Sequence, residues 1–217
     1  MRAKFDEELD QLNKELIAMG ALCEDAIAKS AGALVKGDLS LARGVPELSA
    51  RIDRKEREIE GMCLRLLMRQ QPVARDLRVI SSALKMVTDM ERIGDQSADI
   101  AEIVLLANAA ASQDAQDVEE MAAAVMNMVT ESIDAFVRRD TGMAKAVVDH
   151  DDVVDGCFDR IKKALIRRLS QPEADGESAV DLLMIAKYFE RIGDHAVNIA
   201  QWVIFSITGE KDGGALG

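Results

Sequence analysis

Little in this chain supports a β-sheet. Aromatic residues occupy only 3% of its 217 positions, prolines number three, and no Asn-Gly or Asp-Gly hairpin stands between alternating apolar runs. The signals that strands and tight hairpins leave in a sequence are therefore missing. Cysteine is scarce and odd in number: Cys23, Cys63 and Cys157 lie far apart within apolar helical patterns, which argues for reduced core thiols rather than a disulfide framework or a zinc site. No apolar run approaches the roughly 20 residues that a bilayer span requires. The opening stretch MRAKFDEELD is charged throughout and has no apolar signal core, so the expected location is cytoplasmic. Positive charge is also in short supply, with 27 basic against 39 acidic residues and a formal net charge of −12. Such a surface repels phosphate backbones, and nucleic acid is excluded as a partner on that ground.

What is present is helical periodicity. Leu9, Leu12, Leu16, Met19, Cys23 and Ala26 follow one another at spacings of three and four, the stripe along which one helix packs on another. After the break KGDLS and the GVP that follows it, Leu48, Ile52, Ile59, Met62 and Leu66 define a second helix, with Pro46 suited to its first turn. Beyond RQQP a third stripe runs through Ala83, Val87, Met90, Gly94, Ser97, Ala101 and Val104, spanning about 50 Å from Val73 onward at the helical rise. Residues 108–117, NAAASQDAQD, lose the pattern and read as a linker.

The plan then starts over. Met121, Met128 and Phe136 repeat the first helix; Val154, Phe158, Ile161 and Leu165 the second; Ile185, Phe189, Gly193, Ala196 and Val203 the third. The heptapeptide ERIGDQS at Glu91 returns as ERIGDHA at Glu190, ninety-nine residues on (190 − 91). This internal duplication predicts an all-α fold of six helices in two pseudo-symmetric antiparallel three-helix bundles. The first occupies residues 1–108 and the second 109–217, with a frayed tail from about residue 209.

The acids fall into rows beside the core stripes. Glu91, Asp95, Asp99 and Glu102 on the third helix each follow a stripe position by about one residue, a rotation of about 100° from the core line. Asp53, Glu56 and Glu60 do the same on the second helix, and the second half repeats the arrangement with Asp152, Asp155, Asp159, Glu190 and Asp194. Asn198 stands where the counterpart of Asp99 would be. Like charges one turn apart weaken a helix by a few tenths of a kcal/mol, and Gly94 and Gly193 each cost about 1 kcal/mol against alanine. Hard cations resolve the conflict, because Mg²⁺, Ca²⁺, Mn²⁺ and iron take oxygen ligands that carboxylates on adjacent helices can supply. The glycines would let a neighbouring helix or a hydrated metal come close.

Two plainer readings stand beside this one. Acids flanking an apolar stripe ordinarily form a solvated face, partly neutralised by Arg92, Arg191 or Arg57 in weak surface pairs. Gly94 and Gly193 can equally be small residues at a helix crossing. His195 aligns with Gln96, and a lone exposed histidine, like His150, is ordinarily incidental. Neither has a glutamate three residues before it, since those positions hold Val147 and Ile192, which argues against a ferritin-like di-iron oxidase. No Walker loop, nucleophile elbow or readable Cys-His pair suggests a catalytic nucleophile.

The duplicated ERIGD, the segment RQQPVARDLR from Arg69 to Arg78 and the two-bundle plan together resemble the PhoU family of phosphate-uptake regulators, from about Phe5 to Thr208. The resemblance implies six-helix cytoplasmic proteins whose E/D-xxx-D motifs bind iron, zinc or other ions. Carried over, the motifs are Glu56 with Glu60, Glu91 with Asp95, Asp155 with Asp159, and Glu190 with Asp194. Glu60 departs from the more usual Asp, Asn198 thins the second row, and QPVARDLR has no good copy in the second half. For function the resemblance implies a dimeric negative regulator, not an enzyme. It would couple a phosphate ABC transporter, through its ATPase subunit, to a sensor histidine kinase, and touch the membrane only indirectly through those partners. The alternative is a metal-dependent enzyme acting on a phosphorylated small molecule, with manganese, magnesium, iron or zinc as Lewis acid.

Overall fold

The computed structural model describes residues 2–70, 73–107, 115–172 and 175–210. They form six helices and, among the described residues, no strand: α1 (Arg2–Lys36), α2 (Leu39–Gln70), α3 (Ala74–Leu106), α4 (Ala115–Arg138), α5 (Thr141–Leu169) and α6 (Gly176–Thr208). The stripes are the reason. Every stripe residue named above is buried except Leu9, Met62 and Phe158, which lie against the core from its margin. Burying an apolar stripe stabilises a helix far more than intrinsic propensity does.

Helix ends follow local chemistry. Asp140 and Asp175 cap α5 and α6, each accepting two backbone N–H groups, at 2.8 and 3.0 Å and at 3.1 and 3.3 Å. Gly37 (φ 67°) ends α1 in the left-handed conformation that glycine adopts without penalty. Asp38 then takes the Ser40 N–H at 3.0 Å and starts α2 at Leu39. The break after α1 is thus shorter than the sequence suggests, and Pro46 lies inside α2 rather than in its first turn. Proline there deprives the Ala42 carbonyl of its helical donor; burial of Ala42, Val45 and Leu48 carries the helix through regardless. The expected linker also shortens, because Ala115, Gln116 and Asp117 are already helical, while residues 108–114 lie outside the described ones. Gly209 closes α6 with its N–H on the Phe205 carbonyl at 2.9 Å, and of the expected tail residues 211–217 lie outside the described ones.

Within each half the three helices pack on one another, and the halves join through α3 against α6 and α1 against α4. The α3–α6 pair is antiparallel: Arg78, early in α3, lies at Gly209, and Asp89 reaches His195. At the α1–α4 crossing a Cβ on Gly20 would stand 2.5 Å from Ile133 Cδ1. One continuous core therefore runs through both bundles. No helix among the described residues is long and apolar enough to cross a membrane. The second and third helices of each bundle, α2 with α3 and α5 with α6, are the elements that bring the acid rows side by side.

Candidate metal centre

In the first bundle α2 and α3 bring Asp53, Glu91 and Asp95 together, with one carboxylate oxygen of each within 4.8 Å of the others. All three are half-buried. Asp53 Oδ1 is shut away from solvent without a hydrogen-bond donor, a costly state for a carboxylate oxygen. Partial burial, then the neighbouring Asp95 charge, pushes Glu91 above the ordinary carboxylate range. Burial and then Glu60 and Asp53 do the same to Glu56. Asp99 is raised by burial, Asp95 and Glu102, with Arg191 of α6 opposing them. Asp99 therefore sits at the α6 side of the row, outside the converging three, while Glu56 and Glu60 continue the groove along α2.

The counter-charge paired with Glu91 and Asp95 is loose. Arg92, largely exposed, stands 3.4 Å from Glu91 and 3.6 Å from Asp95, distances at which a surface pair contributes little. A hard cation fits this donor set better: three carboxylates on two helices, with further carboxylates beside them. The residues that could hold it are Asp53, Glu91 and Asp95, with Glu56 adjoining.

The second bundle repeats the positions but not the arrangement. Asp152, Asp155, Asp159 and Asp194 are exposed, and only Glu190 is half-buried. Glu190 is ion-paired with the Lys187 ammonium, although its buried Oε2, like Asp53 Oδ1, accepts no well-aligned hydrogen bond. Asp159 is held by Lys162 at 2.7 Å, which keeps its carboxyl below the usual range. Both lysines also lie over the Phe158 ring, 5.4 and 5.6 Å from its centroid. No three of these acids converge as Asp53, Glu91 and Asp95 do.

A residue outside the expected rows enters here. Asp151 occupies the core register that Ile52 fills in the first bundle. Burial, followed by the charges of Asp155, Asp194, Glu190 and Asp152, pushes it up to about 6. Asp194 is raised by partial shielding and by Glu190, against Lys187. An acid standing on a stripe position was the signal available in the sequence.

The glycines sort themselves by the same pair of residues. A Cβ on Gly94 would meet Ile52 Cδ1 at 2.9 Å, so this glycine admits a neighbouring helix side chain and not an ion. On Gly193 a Cβ would lie 3.4 Å from both Asp151 Oδ1 and Val154 Cγ1. His195 is not incidental: half-buried, its Nδ1 donates to Asp89 Oδ1 at 2.9 Å, and Asn198 Nδ2 donates to the same oxygen at 3.3 Å. These contacts tie α6 to α3 across the two bundles. His150 remains exposed.

Fold and site together define a duplicated all-α protein, two three-helix repeats that each carry a carboxylate groove between their second and third helices. The chain belongs to the PhoU family: the PhoU domain model matches residues 16–104 and 118–203. It is 35% identical to the phosphate-specific transport system accessory protein PhoU homolog of Clostridium acetobutylicum, over 97% of each chain. To the protein of the same description from Pseudomonas aeruginosa it is 35% identical, over 95% of this chain and 86% of the relative. The crystal structure of PhoU from Pseudomonas aeruginosa superimposes with a TM-score of 0.88 at 34% identity, covering 95% of this chain and all of that one. The phosphate transport system regulatory protein PhoU from Streptococcus pneumoniae gives a TM-score of 0.86 at 27% identity.

Proposed function

We propose that this protein is a metal-binding regulatory accessory of a phosphate-specific transport system. In this reading it is a cytoplasmic homodimer that couples a phosphate ABC transporter, through its ATPase subunit, to a sensor histidine kinase. It restrains the phosphate-starvation response while phosphate is plentiful. The regulatory part is supported by the relatives, which are named as accessory or regulatory proteins of phosphate transport and not as enzymes.

The metal-binding part is carried by one observation, the convergence of the Asp53, Glu91 and Asp95 carboxylates from two helices. Magnesium, manganese and iron suit such an all-oxygen set, and zinc accepts carboxylates as well. The ion supplies positive charge where α2 and α3 present acids to each other, and so fastens the two helices.

The test uses untagged protein and a strain lacking its gene. Elemental mass spectrometry after mild purification should find stoichiometric metal in the parent, and its loss in a still-helical variant with Asp53, Glu91 and Asp95 all changed to alanine. A phosphate-starvation promoter fused to a reporter should be silenced by the parent gene in high phosphate. Equal, negligible metal in both proteins after exposure to ferrous or manganous ion would sink the metal reading. Metal-dependent release of phosphate from p-nitrophenyl phosphate would replace the regulator with an enzyme.

A further inference from the structure

The α2–α3 end of the first bundle sets exposed apolar side chains among arginines. Leu64 and Met68, one turn apart near the end of α2, are 53% and 83% exposed, and Val73 and Leu77, one turn apart at the start of α3, are 64% and 47% exposed. Arg75 and Arg78 flank the α3 pair, and Arg65 follows Leu64 on α2, where it shares a pocket wall with Glu8 of α1. Arg139 joins from the α4–α5 turn, close enough that its guanidinium feels Arg75, Asp76 and Arg78. None of these four arginines is ion-paired among the described residues. Of the acids nearby, Asp76 is buried and Glu8 lies beside Arg65.

Arg139 is held there against its backbone preference. Its φ of 57° lies in the left-handed region, at the position where α1 and α6 use Gly37 and Gly209. The turn is a Schellman closure, with Asp140 N–H on the Ala135 carbonyl at 2.9 Å and Arg139 N–H on the Phe136 carbonyl at 3.2 Å. Glycine would form the same closure without strain. An outlier of this kind points from backbone to function. Arg78 has a plainer duty, since it lies over the C-terminus of α6 at Gly209, where a cation is favoured. That explanation does not extend to Arg75 or Arg139.

We propose that this end is a docking surface for an acidic amphipathic helix of a partner protein. Unpaired guanidinium groups offer carboxylates bidentate hydrogen bonds. The two apolar pairs at one-turn spacing match the anchors of a helix laid across them. A free oxyanion has no use for four exposed apolar side chains. An anionic bilayer would be repelled by the remainder of a chain with a net charge of −12. The inference rests on the adaptor reading insofar as both need a protein-binding face, and it does not involve the metal centre.

The test uses the full chain and a fluorescein-labelled synthetic peptide of leucine and glutamate, with leucines at i, i+4 spacing, read by fluorescence anisotropy. The parent should bind it saturably, weakening as salt rises, and should bind a scrambled peptide of equal composition less well. Arg75→Glu should weaken binding about tenfold or more. Arg139→Gly is the decisive variant. It should melt no lower than the parent, because it relieves the left-handed strain, yet bind the peptide several-fold more weakly. The alanine variant of Asp53, Glu91 and Asp95 should bind like the parent, so a failure here is separable from a failure of the metal reading. The proposal is overturned by absence of saturable binding, by unchanged binding in Arg75→Glu and Arg139→Gly, or by displacement of the peptide by millimolar inorganic phosphate. Capture of the chain by phosphatidylglycerol vesicles through the same arginines would likewise replace a protein partner with a lipid surface.

Discussion

The two grooves descend from one pattern and have come to different ends. In the first, Ile52 plugs the space beside Gly94, and the carboxylates of Asp53, Glu91 and Asp95 converge. In the second, Asp151 stands beside Gly193 in place of that isoleucine, and Lys187 and Lys162 hold Glu190 and Asp159 from within the protein. One groove presents negative charge to be satisfied from outside; the other satisfies much of its own. Matched spacing places acids in equivalent positions, and the residues around them decide whether those acids remain available.

The strongest way to break the comparison exchanges the two plugs. Ile52 is fully buried, so Ile52→Asp removes a core side chain and buries a carboxylate among carboxylates. The expected loss is about 3–5 kcal/mol, or roughly 10 °C in melting temperature for a chain of this size. Asp151→Ile should move in the opposite direction, since it restores the packing seen beside Gly94. Circular-dichroism melts read both; an Ile52→Asp protein as stable as the parent would show that the two positions are not equivalent.

Metal should separate the grooves next. At a manganese concentration one hundred times the dissociation constant, a native-state site adds about 2.7 kcal/mol. Most of that increment should vanish in a variant carrying Asp53→Asn, Glu91→Gln and Asp95→Asn, and little of it when Asp155, Glu190 and Asp194 are neutralised instead. In chelator, the first variant should melt at or above the parent, because like-charge repulsion has gone. Comparable losses from both triple variants would mean that the grooves bind ions equally well.

A third test uses pH on metal-free protein. Asp151 is pushed up to about 6 from an ordinary value of 3.8, so between these limits the native state holds a proton that the unfolded chain releases. Stability must then fall as pH rises from about 4 to about 6, by about 2 kcal/mol once partial solvent access is allowed for. Asp151→Asn should flatten that part of the profile. Substituting Ile52 with Val in the other bundle should leave the slope alone.

Much of this architecture was legible because periodicity reports rotation about a helix axis, and rotation decides which residues meet the core. The stripes through Leu12, Ile52, Val87, Met128, Ile161 and Phe189 all lead into it, and the acid rows sit beside them as expected. What periodicity does not encode is how far a side chain reaches across to a neighbouring helix. Convergence of Asp53 with Glu91 depends on how α2 meets α3, and the pairing of His195 with Asp89 depends on two helices from different repeats. Capture of Glu190 by Lys187 depends on a rotamer. The α1–α2 break misled for a different reason: Pro46 looked like a beginning, whereas the Gly37–Asp38 pair had already supplied both the stop and the cap.

The smallest effect sharpens the comparison most directly. Lys187 corresponds to Thr88 in the first repeat (187 − 99), and Thr88 sends no cation toward Glu91, its hydroxyl donating back to the Leu84 carbonyl at 3.4 Å. In Lys187→Thr, Glu190 loses its paired ammonium while Asp151, Asp155 and Asp194 remain beside it. Because the lysine is substantially exposed, the fold should lose no more than about 0.5 kcal/mol. The released carboxylate instead becomes free to bind an ion, and manganese affinity of the second groove should rise several-fold, measured by calorimetry in a background where Asp53, Glu91 and Asp95 are neutralised. If affinity stays flat, the lysine is not what distinguishes the grooves. The difference must then lie in the displacement of the acid set toward Asp151, and Asp151→Ile combined with Lys187→Thr becomes the variant that should recover a second site resembling the first.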